Sequence, residues 1–201
     1  AEEETAINGT WVKAPGKALF ETIEQELGKG LPIIAEDLGT ITPEVIELRD
    51  HFGFPGMKIL QFAFESEEES SFLPHQFTTT NCVCYTGTHD NETINGWFQD
   101  ITDEERKLAR DYMCDYYTPD EEIYKPFIAL AMSSVAKYCI VPIQDYLGLG
   151  NSCRINKPST VGCNWRWRAT EEQLSKELQQ DILTQTMRYG RMNWSNYKEV
   201  N

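Results

Sequence analysis

No apolar run in this sequence approaches the ~20 residues that a membrane-spanning helix requires, so a membrane is not an expected partner. The opening residues, AEEETAINGT, show no signal-peptide pattern and no initiating Met, and the expectation is a processed or mid-protein start. The six cysteines (Cys82, Cys84, Cys114, Cys139, Cys153 and Cys163) include no C-x-x-C pair, and no His is spaced to join them. Zinc and a disulfide framework are therefore both poor readings, and free thiols in a reducing cytosol are expected. No G-x-x-x-x-G-K and no glycine-rich dinucleotide turn follows any apolar run, which argues against phosphoryl and hydride transfer. Positive charge is scarce as well. Lys and Arg number 18 against 32 Asp and Glu, a net charge of −14 that would repel nucleic acid and anionic lipid but tolerate a neutral ligand.

What the 201 residues do contain is the composition of one ordinary globular domain, 40% hydrophobic and 25% charged. Four short apolar runs stand out as buried strands: 31–35 (LPIIA), 57–64 (MKILQFAF), 81–86 (NCVCYT) and 139–143 (CIVPI). Between them lie helical patterns. One is expected over 17–27, and a second over 43–52, with Thr42 as N-cap, Pro43 as first residue and Gly53 at the stop. A capping box at Thr102–Glu105 opens a helix to about Tyr117. A second box begins at Thr118, with Pro126 breaking the helix that it would open, and 129–138 is helical. Thr170–Gln173 starts the last helix, and the tail from Gly190 is polar and loosely held. Strands alternating with helices indicate parallel α/β structure.

In such folds the chemistry collects at the carboxyl ends of the strands. Here those ends carry Glu36/Asp37, Gln61, His89/Asp90 and Gln144/Asp145. Glu36 serves either as a general acid/base or as a loop carboxylate in a salt bridge or cap, whereas Asp37, facing the other way, is structural. Asp90 is either a site carboxylate or a turn former. His89 is a base or a hydrogen-bond donor to substrate; with no second well-spaced His, a metal is not expected. Asn156 in RINKP holds a substrate hydroxyl or forms a turn. Trp165 and Trp167 in NWRWR stack on a ligand ring or pack against helices. Two carboxylates on neighbouring strand ends, without a metal or nucleotide motif, suggest glycosidic chemistry.

The ordered series WVKAPG, PIIAEDLG-x-ITPEV, GFPGMKILQFAF, YTGTHDN, IVPIQDYLGLG, RINKPST and NWRWR resembles the C-terminal part of the 4-alpha-glucanotransferases, the amylomaltases or disproportionating enzymes of glycoside hydrolase family 77. The match runs from about Ile7 to Arg168. The resemblance implies the C-terminal half of a TIM (β/α)8 barrel, about four parallel strands alternating with helices, so that 1–201 is a single partial domain. It implies a transferase that moves malto-oligosaccharide units between α-1,4-glucans of the starch or glycogen type, with retention, in the cytoplasm and without metal or organic cofactor. It makes Glu36 the general acid/base and Asp90 the transition-state stabiliser, with His89 and Asn156 binding sugar. The family's nucleophile, an Asp in an R-x-D-H-F type motif, has no counterpart here; Asp50-His51-Phe52 lies in the helix after the EDLG run. The expectation is a fragment that needs the missing N-terminal part of its own chain and is inactive alone. The alternative is a half-barrel that binds glucan without turning it over.

Overall fold

The structure, a computed structural model, describes residues 5, 7–65 and 70–195, so the end of the tail lies outside the described residues. The chain divides into two compact units, Ala1–Pro55 and Gly56–Asn201.

In the first unit α1 spans Gly16–Leu27 and α2 spans Pro43–His51, close to the helices read from the sequence. Thr42 stands at the cap position in extended backbone and Pro43 opens the helix, although the Thr42 side chain makes no cap bond to it. Phe20, Phe52 and Phe54 form an aromatic trio with ring centroids 5.0–5.6 Å apart. The run at 31–35 is not a strand. Pro32 has no N–H to give a ladder, the Ile33 N–H turns back to the Leu31 carbonyl (2.8 Å), and the Ala35 N–H goes to the Pro55 carbonyl (2.9 Å). The four expected strands are thus three among the described residues.

Those three make a parallel sheet in the second unit: β1 (Gly56–Ile59), β2 (Cys82–Tyr85) and β3 (Tyr138–Ile140), in that order. The register pairs Met57 with Val83 and Cys84 with Cys139. The run at 57–64 is a strand only to Ile59, and Leu60–Phe64 coil into a 3-10 helix. That coil buries Leu60, Gln61, Ala63 and Phe64 together, where a strand would send alternate residues to opposite faces.

Parallel strands need crossovers, and the crossover from β2 to β3 is helical. It begins with α3 (Ile94–Asp100), which the sequence pattern does not announce and which Thr93 caps by accepting the Gly96 N–H. The expected capping box then opens α4 (Asp103–Met113), which stops short of Tyr117. Cys114 adopts left-handed backbone there, and the Asp115 carboxylate takes the Tyr117 and Thr118 N–H groups into a turn instead. The second box does not form. Asp120–Glu122 is a 3-10 turn, and α5 (Tyr124–Ser133) starts just before Pro126, whose missing N–H costs nothing in a first turn. The helix expected over 129–138 therefore ends at Ser133, and Tyr138 is in β3.

The last strand stops before Pro142, which stands at the N-cap of α6 (Ile143–Tyr146). Thr170 and Gln173 exchange the expected bonds yet hold only a turn, and Ser175 caps α7 (Lys176–Arg188). The beginning of the tail is held, not loose. Arg191 donates to the carbonyls of Met132, Ser134 and Ala136, clamping the end of α5 and the lead into β3. Phe64, Trp97, Phe98 and Phe127 centre the core between sheet and helices.

Candidate active site

Residues 86–93 leave the carboxyl end of β2 and return into α3, and both ends of this loop hang on one buried carboxylate. Asp145, 1% exposed, accepts the Thr86 hydroxyl at Oδ2 (2.6 Å) and the Ile94 N–H at Oδ1 (2.8 Å). Burial pushes its pKa up to about 6, against the opposing pull of those two hydrogen bonds. Gln61, buried in the 3-10 helix that follows β1, donates to the Glu92 carbonyl (2.8 Å). A Cβ at Gly87 would lie 2.7 Å from the Gln61 amide, so a side chain there would displace that amide from the Glu92 carbonyl. Within the loop Thr88 donates to Asn91 Oδ1 by N–H and hydroxyl (2.9 and 2.7 Å) and accepts the Asp90 N–H (3.2 Å).

This frame presents Asp90. Its Oδ1 accepts from Asn156 Nδ2 at 2.6 Å and lies 3.4 Å from His89 Nε2, while its Oδ2 takes no hydrogen bond among the described residues. The side chains of His89 and Asp90 are both about half exposed, so a ligand can reach them. The structure therefore brings together His89, Asp90 and Asn156, which the sequence reading selected. It adds groups that reading did not single out. Arg154 donates to the Asp90 carbonyl (2.6 Å) and the Asn156 carbonyl (2.8 Å) and pairs with Glu92 (3.2 Å). Asn151 donates to Glu92 and Asp100. The one available signal was Arg154 two residues before Asn156 in RINKP.

Trp165 of the NWRWR stretch lies against His89, with ring centroids 5.1 Å apart. Its φ of +64° is costly for a bulky L residue, about 1–2 kcal/mol, and its N–H is held by the Ile155 carbonyl at 2.7 Å. Asn164 closes the same loop by accepting the Lys157 N–H and donating to the Thr160 carbonyl.

In the first unit Asp37 is engaged by the Arg49 guanidinium, which also holds Asp50 (2.7 Å). Glu36 is exposed and takes no hydrogen bond or ion pair among the described residues. The two adjacent carboxylates thus differ: one is committed to structure and one is available for chemistry. Gln144 and Asp145, the remaining strand-end candidates, are buried and structural; Gln144 donates to the Cys153 carbonyl (3.2 Å). Among the described residues no cluster of three or more His, Cys, Asp or Glu could hold a metal ion, and no helix is long and apolar enough to cross a membrane. All six cysteines are free thiols.

A carboxylate fixed through one oxygen and open at the other, beside an imidazole and an amide, can stabilise positive charge developing on a ligand and bind its hydroxyls. The sequence also matches known proteins. The family model described as 4-alpha-glucanotransferase matches residues 1–175. A 4-alpha-glucanotransferase of Synechocystis is 48% identical over 190 residues, covering 94% of this chain and 37% of its own. One from Thermus thermophilus is 46% identical over 177 residues, covering 86% and 35%. An amylomaltase from Streptococcus agalactiae, solved in complex with acarbose, superposes with a TM-score of 0.86 at 41% identity, over 95% of this chain and 38% of that one. The chain thus spans between a third and two fifths of the length of these relatives.

Proposed function

Because the chain belongs to the 4-alpha-glucanotransferase family, glycoside hydrolase family 77, we propose that it carries two of the catalytic carboxylates of an enzyme that moves malto-oligosaccharide units between α-1,4-glucans. The observation that carries this reading is Asp90, held by Asn156 through one oxygen and open at the other, beside His89. The three parallel strands belong, on this reading, to a (β/α)8 barrel of which residues 1–201 are one part. The free thiols fit a reducing compartment such as the cytoplasm.

In the reaction Glu36 gives its proton to the glycosidic oxygen of the donor as the C1–O bond breaks. A carboxylate nucleophile supplied from outside these 201 residues takes C1, forming a glycosyl-enzyme. Asp90 opposes the positive charge that builds on the sugar ring between these states, and Asn156 fixes the direction from which it does so. His89 and Asn156 also reach hydroxyls of that ring. Glu36, now a carboxylate, accepts the proton of the acceptor's 4-hydroxyl as its oxygen displaces the nucleophile, and the anomeric configuration is retained.

The test is glucose release from maltotriose by the full-length protein that contains this chain. Glu36→Gln and Asp90→Asn are each expected to lower kcat by at least about a hundredfold while acarbose still binds. The 201-residue chain alone is expected to release none. Activity within about threefold of wild type in Asp90→Asn overturns the assignment, and glucan binding that is indifferent to both substitutions, with no turnover in wild type, favours a binding module instead.

A further inference from the structure

Trp165 is conspicuous because the fold itself gains little from an indole there. Its backbone sits at φ +64°, which a glycine would adopt without strain, and its side chain is 56% exposed. The residue is nonetheless fixed: its N–H is tied to Ile155, and Asn164 beside it locks the loop through Lys157 and Thr160. Its neighbour Trp167 is partly buried, so exposure is specific to Trp165 within the pair. His89 lies against the indole at 5.1 Å with planes inclined by 38°, and the Nε2 of that same His89 is 3.4 Å from Asp90 Oδ1. A rigid, solvent-facing apolar plane is therefore mounted beside the carboxylate and its polar donors.

We propose that Trp165 is the stacking platform for a glucosyl ring of the bound glucan, next to the ring that reacts at Asp90, an inference that rests on the glucan chemistry proposed above. A pyranose offers an apolar C–H face and a rim of hydroxyls. The indole matches the first, and His89 and Asn156 match the second. The backbone strain supports this role: the loop holds a costly conformation in order to present a flat ring that the packing does not consume.

The experiment uses Trp165→Gly and Trp165→Phe in the full-length protein, with acarbose binding measured by calorimetry and maltotriose turnover by glucose release. Trp165→Gly removes the plane and relieves the strain. It should weaken acarbose binding and raise KM for maltotriose by about tenfold or more, with Tm equal to or above that of wild type. Trp165→Phe keeps an aromatic plane and should stay within about threefold in both. Wild type should show a change in indole fluorescence on adding acarbose, and most of that change should disappear in Trp165→Phe. A folded Trp165→Gly protein that binds acarbose as wild type does overturns the proposal. Should that variant not fold, an acarbose-induced fluorescence change of the same size in wild type and Trp165→Phe overturns it as well. A wild type that binds acarbose through Trp165 but transfers no sugar would remove the catalytic reading and leave this one standing.

Discussion

Gly96, in the first turn of α3, would ordinarily gain at most about 1 kcal/mol of helix stability by becoming Ala. Here the added Cβ would lie 2.0 Å from Asn151 Oδ1 and 2.2 Å from its Cγ, a distance no side chain tolerates. Asn151 would have to swing away, losing its bonds to Glu92 (3.1 Å) and Asp100 (3.0 Å). Two lost hydrogen bonds to charged groups outweigh the helix gain, so Gly96→Ala is expected to destabilise the protein by about 1–3 kcal/mol. Thermal unfolding checks the sign, since a Tm above wild type would show that Asn151 relaxes at no cost. The effect should reach the site, because Glu92 is also the partner of Arg154, which holds the Asp90 carbonyl.

Between elements, the long-range tie that the sequence hid best is Arg191. Its guanidinium spans three carbonyls, Met132 (2.8 Å), Ser134 (2.9 Å) and Ala136 (3.0 Å), so it caps α5 and fixes the start of β3 at once. A lysine cannot reproduce that planar fork, and Arg191→Lys should cost about 2 kcal/mol, or roughly 4–8 °C in Tm for a chain of this size. No change in Tm would mean that the clamp is replaceable by water. Such ties mark the limit of what the sequence discloses. Local chemistry was legible: the capping box at Thr102, Pro43 at a helix start, Gly53 at its end, and β2 with the polar THDN turn after it are all set by near neighbours. The apolar run at 31–35 misled because apolar character gives no account of where each N–H goes, and Pro32 and the Ile33 turn decide that. α3 was missed because its residues are buried on nearly every side, from Ile94 to Phe98, and show no helical stripe. At the site, His89 and Asp90 were legible as polar residues after an apolar run, and Asn156 as the amide of the RINKP loop. Arg154, Glu92 and Asn151 were not, because they act across 51 to 64 residues of sequence.

For the whole molecule, the response of stability to pH turns on one buried acid set against several exposed ones. Glu44, Asp111, Asp115, Glu172 and Glu177 are held below the usual carboxylate range by hydrogen bonds, to backbone N–H groups first for Glu44, Glu172 and Glu177, and to the side chains of Lys107 and Thr118 for Asp111 and Asp115. Each contributes stability that is present above its unfolded pKa and lost as pH falls through its lowered folded value, but all are well solvated and the contributions are small. Asp145 runs the other way. Its folded pKa of about 6 stands above the ordinary 3.8, so the folded state binds this proton more tightly than the unfolded chain does. The associated stability, on the order of a few kcal/mol, is fully present below about pH 4 and is lost as pH rises through about 6. The net charge of −14 adds to the same trend, because raising the pH through this range only increases self-repulsion. Stability should therefore peak on the acid side of neutrality, between about pH 4 and 6, and decline toward pH 8. Asp145→Asn keeps one acceptor for Thr86 or Ile94 and removes the titration, so its Tm should be lower than that of wild type at about pH 5 and change less between about pH 5 and 8. A wild-type Tm that rises steadily from about pH 5 to 8, with the variant running parallel to it, would show that Asp145 is ionised in the folded state across this range and that the loop bearing Asp90 hangs on a charged carboxylate.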